Sequence, residues 1–108
     1  MDTTATQILK VAALNDAARQ NAANYTATRG VMALSDITIS DIFVTVQEFT
    51  AFTEDNDPYG EHDFGSFTID GQKVFWKIDY YTQDLSGGCD PLDPHCRRVI
   101  TIMLAEEY

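Results

Sequence analysis

The dipeptide Asp70-Gly71 constrains this chain more than any other feature. It separates Phe67-Thr68-Ile69 from Gln72-Lys73-Val74-Phe75-Trp76, two segments rich in β-branched and aromatic residues. A type I′ turn needs positive φ at both central residues, which Asp-Gly supplies, so a two-residue hairpin is predicted here. That turn pairs Phe67 with Val74 and Gly65 with Trp76, where the glycine leaves space opposite the indole. Strand alternation then places Val74, Trp76, Ile78 and Tyr80 on one face, the expected core face. Lys77 and Asp79 point the other way, beside Phe64, Phe75 and Tyr81. This second face is partly apolar and calls for a cover, from the N-terminal segment or from a partner.

Other elements follow from periodicity. Thr4-Ala5-Thr6-Gln7 fits a capping box, and Ile8, Val11, Leu14 and Ala18 recur at helical spacing, so a helix is predicted from about residue 5 to about residue 22. Asp16 and Arg19 stand three apart on it and read as a modest ion pair rather than a site. The run Val31-Met32-Ala33-Leu34 reads as a short strand. Ile39, Ile42, Phe43, Val46 and Phe49 follow a helical period, and Thr38 with Asp41 resembles a capping box, which gives a second helix over roughly 39–51. A last strand spans Arg97 to Glu106, with Ile100, Ile102 and Leu104 on one side. The expected architecture is one α+β domain over residues 1–108: a small, mainly antiparallel sheet of about four strands with two helices on one face.

No run approaches the ~18 to 20 apolar residues of a membrane span. Met1-Asp2-Thr3-Thr4 lacks a basic segment leading into an apolar one, so the cytosol is the expected compartment and Cys89 and Cys96 are expected as reduced thiols. Their spacing matches neither a CxxC redox pair nor a four-ligand zinc module.

Charge is uneven. Seventeen acids against seven bases give a net charge of −10. Between Arg29 and Lys73 there is no basic residue, while Asp36, Asp41, Glu48 and six further acids fall there. Such a field repels phosphate backbones, so neither nucleic acid nor an anionic membrane is an expected ligand. It serves either solubility or attraction of a basic protein surface. On the second reading Glu54, Asp55, Asp57, Glu61 and Asp63 are the candidate partner-binding residues. The alternative is a small metal-binding protein or metal-dependent enzyme that uses Asp57, His62 and Asp63 as ligands of a divalent metal. An EF-hand fits poorly, because counting from Asp55 places Tyr59 fifth and Ser66 twelfth, where a bidentate carboxylate belongs. The plainest reading is a rigid loop whose Asp and Asn side chains satisfy backbone amides. No GxSxG, phosphate-binding or dinucleotide motif is present, so no catalytic residue and no cofactor is assigned.

Four segments, Leu14 to Arg19, Asp55 to Gly65, Phe75 to Tyr81 and Thr101 to Tyr108, together resemble a family of short proteins of unknown function. That family is widespread in alphaproteobacteria and is often encoded on plasmids and prophages. The stretches Ile37 to Val46 and Cys89 to Cys96 depart from its pattern. The resemblance carries over no catalytic residue. It implies a non-enzymatic binding module from a mobile element, an acidic inhibitor of a nucleic-acid-handling complex. An anti-CRISPR or other anti-defence protein that mimics nucleic acid is the form this would take.

Overall fold

The computed structural model describes residues 3–108. Helix α1 (Thr3–Arg19) leads to strand β1 (Tyr25–Ala27), the single-turn helix α2 (Arg29–Met32) and helix α3 (Asp36–Gln47). Strands β2 (Phe64–Ile69), β3 (Gln72–Tyr81) and β4 (Arg97–Leu104) follow. The sheet order is β1-β4-β3-β2, with β1 parallel to β4 and the other pairs antiparallel. This is the expected α+β class, with one short helix more. No helix among the described residues is long and apolar enough to cross a membrane.

The hairpin forms as its turn chemistry dictates. Asp70 and Gly71 take φ values of 49° and 76°, and the register pairs Phe67 with Val74 and Gly65 with Trp76. A Cβ at Gly65 would stand 2.4 Å from Trp76 Nε1, so no larger residue fits across from the indole as it lies. Val74, Trp76, Ile100 and Ile102 are fully buried against Val31, Ile42 and Val46. Phe67 sits at the margin of this core and is half-buried. On the opposite face Phe64 and Phe75 meet Tyr108 edge-on, at ring separations of 6.1 and 5.3 Å. Part of the cover for that face therefore comes from Tyr108.

Four expectations are corrected. Val31 to Leu34 is not a strand: the strand lies earlier, at Tyr25–Ala27, and Val31 belongs to α2. Thr28 N–H continues the ladder by donating to Ile102 C=O, and the Glu107 carboxylate then accepts from Thr28 Oγ1 and Gly30 N–H, turning the chain into a helix. Cys89 and Cys96 are not free thiols but a disulfide, with sulfurs 2.05 Å apart. Tyr81 pairs with both Arg97 and Gly88, which draws the two ends of the β3–β4 loop together. Finally, α3 starts from Ser35, whose hydroxyl accepts from Thr38 N–H, rather than from a Thr38 cap. Similarly α1 ends early, because Tyr25 Oη and Asn24 Nδ2 donate to the carbonyls of Arg19 and Ala18.

Candidate functional site

Val11, Asn15 and Arg19 recur every four residues along α1, and all three are buried. The apolar stripe of the helix thus continues as polar groups, and each finds partners. Arg19 donates to the carbonyls of Val46 and Phe49 at 3.0 Å each, placing a cation where the C-terminal end of α3 carries partial negative charge. Its guanidinium also pairs with Asp16 at 2.6 Å and lies over the rings of Phe52 and Trp76. Asn15 donates to Glu61 C=O at 2.9 Å and to Tyr80 Oη at 2.8 Å, and accepts from Arg98 Nε at 2.8 Å. One helical face thereby ties together α3, the acidic loop and the sheet. Burial pushes the Tyr80 hydroxyl up to about 12, outweighing the hydrogen bond from Asn15, which acts in the opposite direction.

The acidic loop is fastened at two residues. His62 adopts a φ of 57°, a left-handed conformation in which histidine is enriched. Its ring stacks on Phe52 with centroids 3.9 Å apart, and Nδ1 meets Asp16 Oδ1 at 2.9 Å. Asp57 turns inward and is 7% exposed, its carboxylate accepting from the backbone N–H groups of Glu61 and His62. Of the five candidate partner-binding acids, Glu54 and Asp55 therefore project into solvent, and Asp57 does not. Glu61 and Asp63 are half-buried, and both carboxyls are pushed above the usual range, chiefly by desolvation and next by neighbouring charge. Asp57, His62 and Asp63 do not gather as metal ligands. Among the described residues the three-donor group is Cys89, Asp93 and Cys96, with ligand atoms within 4.8 Å of one another.

Exposed chemistry lies on α3. Ile37, Asp41, Val44 and Glu48 follow a spacing of four, three and four residues, which is a single stripe of a helix. All four face solvent, Ile37 at 77% and Val44 at 45% exposure. The stripe ends at a cleft of about 720 Å³ bordered by Glu48, Gln47, Phe52, His62, Asp16 and Arg19. Apolar anchors and carboxylates thus alternate along α3 and run into a pocket with an aromatic wall.

This stripe, the acidic loop and the hairpin all fall inside residues 27–107, which match the family model described as Protein of unknown function (DUF3768). The chain belongs to the DUF3768 family. No curated protein and no solved structure matches it. Helix α1 of this DUF3768 protein precedes the matched residues, yet it supplies Asn15, Asp16 and Arg19, which hold the matched part together. The signal for the buried pair was present in the sequence, as polar residues continuing the Val11 stripe at four-residue intervals. The helical surface was less legible: Ile37 and Val44 lie off the core stripe of Ile39, Ile42, Phe43, Val46 and Phe49, but their residue types alone do not mark a binding surface.

Proposed function

We propose that this DUF3768 protein is a non-enzymatic binding module that lays α3 and the adjoining acidic loop on the basic surface of a nucleic-acid-handling protein. In biological terms this is an anti-defence inhibitor, of the anti-CRISPR kind, carried by a mobile element and acting in the cytoplasm. One observation carries the reading: the outward stripe of α3 alternates exposed apolar residues with carboxylates and leads into a cleft. Interfaces are built from a few desolvated anchors within a polar rim, and Ile37 and Val44 have that placement. The acids supply complementarity to a surface that otherwise binds phosphates. Asp16 and Glu48 border the cleft and suit a lysine or arginine of the partner, with its stem against Phe52. A binding role also fits the polar groups around His62, which are engaged in holding the loop.

The test is capture from an alphaproteobacterial lysate on immobilised protein. The wild type should retain a nucleic-acid-binding protein that duplex DNA displaces, and the double variant Ile37→Asp, Val44→Asp should retain none. Retention that DNA leaves untouched, or that the folded double variant shares, contradicts the reading.

A further inference from the structure

The β3–β4 loop offers a second site, separate from the α3 surface. Its eight residues from Cys89 to Cys96 close on themselves and place two sulfurs and a carboxylate within 4.8 Å of one another. Asp93 is aimed at this point. Its Oδ1 accepts from His95 N–H at 2.8 Å, while Oδ2 stands 3.9 Å from Cys89 Sγ. The loop backbone is anchored from below by Arg98, which donates to the carbonyls of Pro91 and Asp93 and is itself held by Asn15. A carboxylate fixed by one oxygen and free at the other is the arrangement of a supported metal ligand. Cys96 is 8% exposed but Asp93 faces solvent, so an ion has a way in.

We propose that the reduced form of this loop binds one thiophilic divalent cation, Zn2+ fitting best, through Cys89, Cys96 and Asp93. Reduction consumes two electrons from a cellular dithiol, which leaves as its own disulfide, and yields two cysteine thiols. The incoming ion displaces their two protons and takes both thiolates and the carboxylate as ligands. Water completes the tetrahedron, the usual pattern where the protein supplies three. Two thiolates on one tetrahedral zinc stand about 3.8 Å apart, given Zn–S bonds of ~2.3 Å. Side-chain rotation reaches that separation from Cα atoms 5.8 Å apart. Oxidation by an oxidised dithiol re-forms the disulfide and expels the ion, so the loop exchanges one cross-link for another according to the redox poise around it.

The experiment uses the intact chain, reduced with a phosphine, desalted without oxygen and titrated with Zn2+ against a chromophoric chelator. One equivalent should bind to the reduced protein and none to the oxidised. Co2+ in place of Zn2+ should give the charge-transfer absorption of thiolate ligation. Asp93→Asn, which leaves both cysteines in place, should weaken the affinity at least ~10-fold, the scale seen when the support of a ligand is removed. A reduced chain that takes up no stoichiometric Zn2+, folded or not, overturns the proposal. So does unchanged affinity in Asp93→Asn.

Discussion

Trp76 shows how much of this fold rests on single side chains. It is fully buried, touches the rings of Phe49 and Phe52, lies beneath the Arg19 guanidinium and is packed against Gly65. Truncation to alanine leaves a cavity that these neighbours, held by their own bonds, refill poorly. Trp76→Ala should therefore destabilise by ~3 to 5 kcal/mol in denaturant unfolding. Titrating residues pull in opposite directions. The Asp63 carboxyl is raised in the folded state, first by desolvation, so the native chain holds that proton more tightly than the unfolded one. Its cost is absent below the unfolded pKa, grows as pH rises through the folded value, and is complete at neutrality. Asp63→Asn should raise Tm at pH 7, and the gain should shrink towards acid. Glu107 is the reverse: hydrogen bonds from Thr28, Leu104 and Gly30 hold its carboxyl below the usual range. Its contribution is present above the unfolded pKa and is lost as pH falls, so Glu107→Gln should lower Tm at pH 7 and converge on wild type in acid.

At the scale of elements, α1 acts as a clamp. Its residues reach α3 through Arg19, the acidic loop through Asp16 and Asn15, and the last strand through Asn15 and Arg98. Arg19→Met keeps the apolar stem but strands the carbonyl of Phe49, while that of Val46 keeps only its backbone donors. We expect a loss of about 1 to 3 kcal/mol per buried acceptor left unpaired, and faster amide exchange at the end of α3 than in the β3–β4 ladder. Local rules carried the hairpin, because turn type and alternation fix its register without help from elsewhere. They failed at Val31 to Leu34, where the deciding contact joins Thr28 to Glu107, 79 residues away. The disulfide was hidden for a related reason: spacing alone does not reveal that Tyr81 pairs with both Gly88 and Arg97. The acidic loop was legible as a charge cluster but not as a structure. Which carboxylates point outward depends on whether backbone amides claim them, and Asp57 is claimed.

For the whole molecule the question is what a net charge of −10 is for. Crowded like charges weaken a compact state, so a surface that keeps Asp36, Asp41, Glu48, Glu54 and Asp55 exposed carries a cost that solubility or binding must offset. If binding is the answer, the charges act mainly on the approach of the partner, while Ile37 and Val44 act on its retention. The two effects separate in kinetics. The direct measurement is association and dissociation of the captured partner across ionic strength, for wild type and for the triple reversal Asp41→Lys, Glu54→Lys, Asp55→Lys. The wild-type association rate should fall steeply as the screening length contracts from about 30 Å at 0.01 M towards about 8 Å at 0.15 M. The reversal variant should associate slowly at every salt concentration while dissociating nearly as wild type does. Equal association rates for the two proteins, independent of salt, would show that the acidic surface has no part in recognition and serves only to keep the chain dissolved.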